Sequence, residues 1–346
     1  MTAEHPDDTG RITLNTVASE AGVSVSTVSK VLNGRSDVST DTKERVEAVM
    51  DRLGYQRRPA RRRGAVVDLV LNELDSLWSV EIIRGSTRCS TPPAPAWSSP
   101  RCTGAVPTPA SGSTRWRPAA ATAPSSSSPN SPPAAPPLTA MDVPFVLVDP
   151  VGSVDALVPT VGATNWAGAV SATEHLIAQG HTRIAHLAGP RHVLCSRARA
   201  DGFRATMEQA ELPVPEEWVP HGEFNDASGR AETARLLDRA EADGSPPPTA
   251  VFAASDLQAL GAFEVLRARG LAVPGDMSVV GFDDLPVARW THPPLTTVRQ
   301  PLLDMAAMAA NTLLRIMDGE PAEHLRLELA TQLVVRGSTA GPRDAS

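Results

Sequence analysis

Residues 12–55 read ITLNTVASEAGVSVSTVSKVLNGRSDVSTDTKERVEAVMDRLGY, a stretch whose apolar spacing predicts three short amphipathic helices. In the first, LNTVASEAG, Val17, Ala18 and Ala21 share a face and Gly22 supplies a turn. Ser24 can cap the second, VSTVSKVLNG, where Val28, Val31 and Leu32 face inward while Val25, Ser26 and Lys30 point out. Asn33-Gly34 stops it. The third starts at Ser39 to Asp41, buries Val46, Val49, Met50 and Leu53 at i, i+3, i+4, i+7 spacing, and ends at Gly54. A tight turn between the first two helices can lay the second in a major groove, N-terminus first. The helices alone leave a protein-binding module open.

Charge favours nucleic acid at this end of the chain. The 346 residues carry a net charge of -7, but residues 1–63 hold 11 Lys+Arg against 9 Asp+Glu. From Arg52 to Arg63 there are six arginines and no acid, a density suited to phosphate contact.

The quoted run closely resembles the DNA reader of the lactose-repressor (LacI/GalR) family of transcription regulators. The resemblance implies that Val25, Ser26 and Lys30 read bases, with Thr13, Ser24, Thr27, Asn33 and Ser39 as phosphate contacts. The chemistry agrees: a lysine can donate to guanine O6/N7, a valine can touch a thymine methyl, and small hydroxyls suit phosphates. Arg58, Arg61 and Arg62 extend the phosphate set. The resemblance lapses at the hinge. Where the family carries the leucine that wedges into the minor groove, this chain has Gly64, and Pro59 and Arg61 to Arg63 dominate the segment.

From Val66 onward, the apolar runs VVDLVL, VPFVLV, RIAHLAG, TAVFAAS and MSVVGFDD alternate with helical patterns, the order of an α/β unit with parallel strands. Ligands in such sheets bind beyond the carboxyl ends of the strands, where Asp149, Ser255, Asp256, Asp283 and Asp284 fall. Each has an innocent reading as a cap or turn residue. The runs HLIAQGHTRIAHLAGP, RARADGF and ALGAFEVLRARGLAVPGDMSVVGFDDLP resemble the same family's periplasmic-binding-protein-like core, a fold of two parallel-sheet subdomains. That resemblance implies effector contacts at Asp149, Asn165, Arg199, Phe224, Ser255, Asp256 and Asp283. Carboxylates and amides suit sugar hydroxyls, Arg199 offers a fork, and Phe224 can cover a ring. Trp166 and Trp290 are further stacking candidates, with buried packing as the alternative for each.

Catalysis finds no support: there is no G-x-S-x-G elbow, P-loop or His-Glu zinc motif, and the eight histidines are scattered. No metal and no cofactor are expected. Cys89, Cys102 and Cys195 have neither ligand spacing nor a disulfide pattern, which fits a reducing compartment, and they receive no chemical role. With no run of about 18 apolar residues and no signal-peptide pattern, a cytoplasmic protein without a membrane partner is expected.

One segment conflicts with this plan. Residues 86–140 contain 13 prolines, 11 serines, four arginines and no acid, where the fold needs two strands and two helices. The family resemblance is absent here and resumes at Met141-Asp142, which points to a wrong reading frame. Thirty arginines against two lysines imply a GC-rich gene with TCC or TCG serines. Shifted by one base, each such serine becomes Phe, Leu, Ile or Val, so Ser125 to Ser128 become four apolar residues, a buried strand. The other frame then reads helix, strand, helix, strand. A genuine linker is the competing reading. As written, the segment should be irregular, with VVDLVL and FVLV still pairing because their own apolar patterns survive.

The chain thus divides into a disordered tail (1–10), an all-α helix-turn-helix domain (11–57), a basic hinge (58–65), an α/β effector and dimerisation domain (66–336) and a second disordered tail (337–346). Together these describe a homodimeric transcription repressor that binds a double-stranded DNA operator. Its cleft closes on a small sugar and shifts the spacing of two readers. A sugar-binding module without regulatory role, or a non-functional product of a frameshifted gene, are the alternatives.

Overall fold

Helices α1 (Leu14–Ala21), α2 (Val25–Leu32) and α3 (Thr40–Leu53) form the first unit. In this computed structural model, residues 14–32, 38–53, 55, 66–71, 76–88, 96–97, 101–102, 115–116, 143–152 and 154–343 are described. They divide into two units between Arg62 and Arg63. Val17, Ala18, Ala21, Val28, Val31, Val46 and Val49 pack into one small core, with Met50, Leu53 and Tyr55 against it. The turn after α1 works as the sequence suggests. Gly22 sits at φ +65°, and the Val23 N–H bonds Ala18 O at 3.1 Å, closing the helix end.

The second unit runs β1 (Val66–Val67), β2 (Val70–Leu71), α4 (Leu77–Ser86), β3 (Ala96–Trp97), β4 (Arg101–Cys102), β5 (Arg115–Trp116), β6 (Leu147–Val148) and β7 (Thr160–Ala163). It continues through α5 (Asn165–Ala178), β8 (Ile184–Leu187), α6 (Leu194–Gln209), α7 (Asp226–Asp243), β9 (Ala250–Ala253), α8 (Asp256–Ala268) and β10 (Ser278–Asp283). It closes with β11 (Thr296–Arg299), α9 (Leu302–Met317), β12 (Arg326–Leu329) and β13 (Gln332–Val334).

A five-stranded sheet in the order β13-β11-β10-β9-β8 is parallel throughout except for β13, which runs antiparallel to β11. Its strands β8, β9 and β10 are largely apolar and fully buried because both faces are covered there. Ala250 and Phe252 join a core made with α5 and α6, whereas Val251 and Ala253 join one made with α7 and α8. Phe203, Phe252 and Phe282 are fully buried on the first face, with Phe252 centred 6.5 and 6.4 Å from the other two rings. A separate core gathers Val67, Leu71, Ile82, Val146, Val161, Met305 and Leu313 around α4 and α9. Gly85 lets these helices touch, since a side chain there would meet the Leu303 backbone. The sheet with its two flanking cores and the separate core around α4 and α9 mark the two subdomains.

Three sequence expectations change here. VVDLVL is interrupted at Asp68-Leu69: β1 pairs in parallel with β3 and β5, and β2 with β4. FVLV pairs through β6 with β7, and β7 with β12. The chain in 86–140 is therefore not irregular throughout, since β3, β4 and β5 lie within it. The expected disordered tail at 337–346 is also corrected, because the chain stays bound to the sheet through Arg343. Ser338 is fully buried, donates to Val279 O at 2.6 Å and accepts from Thr296 N at 2.8 Å. Ala340 O accepts from Ser278 Oγ and lies 2.9 Å from His181 Nε2, and Arg343 pairs with Asp276 at 2.6 Å. The tail at 1–10 and the hinge at 58–65 lie outside the described residues.

Candidate functional site

The outward face of α2 carries the expected reading side chains: Val25 is 41% exposed, and Ser26 and Lys30 are exposed. Ser24 organises the helix start. Its Oγ accepts from Thr27 N at 3.2 Å and lies 2.7 and 2.8 Å from the hydroxyls of Ser26 and Thr27. Ser39 does the same for α3, 3.4 Å from Thr42 N and 2.8 Å from its hydroxyl. These helix starts present backbone N–H groups and hydroxyls on exposed surface, the chemistry that holds a phosphate. Thr13, Asn33, Arg58, Arg61 and Arg62 lie outside the described residues.

In the second unit, the carboxyl ends of β6, β7, β9 and β10 bring four predicted residues into one network. Arg199 on α6 is 3% exposed and donates from Nε to Asn165 Oδ1 at 2.9 Å. Its Nη1 bonds Ala254 O and lies 3.7 Å from Asp283 Oδ1. Asn165 donates to Ala163 O at 3.1 Å and reaches Asp149 Oδ1 at 3.5 Å. The guanidinium sits 3.8 Å above the Phe282 ring and 5.6 Å from that of Phe224, which fixes its plane.

Two carboxyls, Asp283 buried and Asp149 half-buried, thus lie around one buried cation. Burial pushes the Asp149 carboxyl up, opposed by Arg199 and by hydrogen bonds from Cys195 and Asn165. Burial raises Asp283 to about 6, again opposed by Arg199 and by Gln300, whose Nε2 donates at 2.6 Å. The Asp283 carboxylate accepts from hydroxyl groups above about pH 6 and, protonated below it, can also donate.

Two predicted contacts also serve the framework. Ser255 caps α8, its Oγ accepting from Gln258 N at 3.1 Å. Asp256 is fully buried, and its oxygens accept from Leu285 N at 2.7 Å and Thr297 Oγ1 at 2.5 Å. Ser255 holds the start of α8, and Asp256 ties the end of β10 to β11. Trp166 and Trp290 are 51% and 80% exposed, so the buried-packing alternative is excluded for both.

Sequence reasoning passed over Cys195, Phe282 and Gln300. The Cys195 thiol hydrogen-bonds Asp149, and burial followed by that carboxyl's charge pushes its pKa far up. It precedes Arg199 by four residues on one helix, a spacing that places both on one face and was there to be read.

Comparison with known proteins accords with this geometry. Residues 13–58 match the family described as bacterial regulatory proteins, lacI family, and residues 173–339 match a periplasmic binding protein-like domain. The HTH-type transcriptional regulator reg1 of Streptomyces lividans is 36% identical over 94% of this chain and 95% of its own length. CelR of Thermobifida fusca is 37% identical over 95% and 98%. The chain belongs to the LacI family of transcriptional regulators. Among solved structures, this LacI-family chain is similar to a CelR–cellobiose complex, with TM-score 0.64 and 32% identity, covering 95% of this chain and all of that one. It also resembles a lac repressor dimer bound to operator and the anti-inducer ONPF, with TM-score 0.60 and 25% identity over 95% and 99%. Among the described residues, no helix is long and apolar enough to cross a membrane.

Proposed function

We propose that this LacI-family regulator is a cytoplasmic, non-catalytic, homodimeric repressor whose operator affinity is set by a small sugar. The sugar is held by Asp149, Asn165, Arg199, Phe224 and Asp283. The observation that carries the effector reading is the Asp149–Asn165–Arg199–Asp283 network at the strand ends, where one guanidinium and two carboxyls offer directional partners for hydroxyls. The sugar class is supported by the cellobiose bound to the related CelR. Control requires differential affinity, and an effector that favours one state by about 1–3 kcal/mol changes operator occupancy usefully.

The experiment is retention of operator DNA by the full chain, titrated with salt and then with cellobiose, maltose and ribose. Retention that falls steeply with salt and shifts with one sugar supports the reading. Binding of sugar without any DNA retention would leave a binding module instead. The second reading, a damaged gene product, is favoured by the 55 acid-free, proline-rich residues of 86–140, and gene sequencing across codons 80–145 decides it.

A further inference from the structure

At the end of β10, three consecutive residues point three ways. Asp283 turns into the Arg199 network. Asp284, with 1% of its side chain exposed, accepts from Arg299 Nε at 2.7 Å and from Arg336, with Arg289 at 4.0 Å. Leu285 gives its N–H to Asp256 and buries its side chain in the core around α4 and α9. Asp283 and Asp284 both lie at positive φ, +119° and +55°. Non-glycine residues hold such backbone only where their surroundings over-determine it.

We propose that Asp284 is a positioning residue: its carboxylate, clamped by Arg299 and Arg336, holds the left-handed turn that delivers Asp283 to the effector site. The inference rests on reading that site as effector-binding. The clamp is well founded at its far side. Arg336 also donates from Nη1 to Leu295 O at 2.7 Å, and its backbone N–H bonds Thr296 Oγ1 at 2.9 Å, so the guanidinium is fixed before it meets Asp284. Arg299 comes from β11, the strand paired with β10. Two cations from different segments therefore converge on one buried carboxylate. Gln300 grips the neighbouring residue, its N–H bonding Asp283 O at 3.2 Å. Asp284 pairs with Arg299 and Arg336 rather than with Arg199, so it reaches the effector network through the turn and through its charge on the buried Asp256.

The test uses the full chain with neither sugar nor DNA, which keeps it separate from the proposed function. Asp284→Gly accepts positive φ freely but has no carboxylate. Asp284→Asn tolerates the same backbone and loses only the charge. Arg299→Gln weakens the clamp from its half-exposed side and decides the matter if the variants at 284 do not fold. Amide hydrogen exchange is followed at Leu285, Gln300 and across β9, and the Asp283 carboxyl is titrated by carbon NMR. All variants should speed exchange at Leu285 and Gln300 by about tenfold or more while β9 is unchanged. The Asp283 titration should fall from about 6 toward the ordinary carboxylate range as water reaches it. Wild-type exchange and titration in Asp284→Gly would overturn the proposal. So would equal acceleration in β9, which would make the clamp a general stabiliser.

Discussion

At Arg199, one side chain carries much of the proposed effector network, and its loss should be felt twice. Arg199→Ala leaves the buried Asp283 and half-buried Asp149 carboxyls without their cation, so it should abolish sugar binding. It should also cost about 3–5 kcal/mol of stability, read as a lowered denaturation midpoint. Asp283 carries a pH signature of its own. Its folded-state carboxyl titrates near 6, above the unfolded value, so its contribution is full below the unfolded pKa and is lost as pH rises through about 6. His175, His181, His186 and His221, lowered chiefly by burial, act in the opposite direction. The clean observable is therefore the stability gap between the native chain and Asp283→Asn, which should shift in favour of the native chain as pH falls from about 7 to 4. A gap independent of pH would contradict the burial argument. In the reader, Lys30→Ala should relax preference at one base position at a cost of about 1–3 kcal/mol, while Thr27→Ala weakens all sequences alike. Binding to an operator library separates the two. Arg199 and Asp283 were visible in the sequence because they sit in runs with family likeness. The framework role of Asp256 was not, since its partners Leu285 and Thr297 lie 29 and 41 residues away.

Among elements, those with a strong apolar period were legible and those without were missed. The helices of the reader follow from Val17, Val28 and Val46, each fully buried. Strands β8, β9 and β10 read as continuous apolar runs because helices cover both faces. By contrast β7, TVGA, and β12, RLEL, are short and alternate with small or polar residues, and nothing in their own sequence forces a strand. The segment after β13 was missed for a related reason: Ser338 and Thr339 look like tail composition, yet their hydroxyls replace ladder bonds at the sheet end. Ser338→Ala should cost about 1–3 kcal/mol, because it strands the Thr296 N–H in the interior. A thermal scan reads it directly. Strands β3, β4 and β5 show what the fold demands of 86–140. Each pairs in parallel beside a buried apolar strand, yet they read AW, RC and RW. Parallel strands buried between helices elsewhere in this chain, such as AVFA in β9, are apolar on both faces, and the alternative frame supplies such residues.

For the molecule as a whole, the proposed dimer bears on this segment, because the family resemblance implies that the half of the effector unit containing it forms much of the subunit contact. If the reading frame is disturbed there, restoring it should convert weak binding of paired half-sites into tight binding, measured with one and two half-sites on the same DNA. Equal binding by both forms would count against the frame argument. The bound segment from Ser338 to Arg343 has a consequence of its own for how the molecule comes into being. On the ribosome the reader emerges first and holds its own small core, so it can fold while the rest is still being made. The five-stranded sheet cannot close until β13 and Ser338 have cleared the exit tunnel, hundreds of residues later. A nascent chain thus carries a finished reader ahead of an unfinished effector unit, and a stalled ribosome would display a DNA-binding head that no sugar can command.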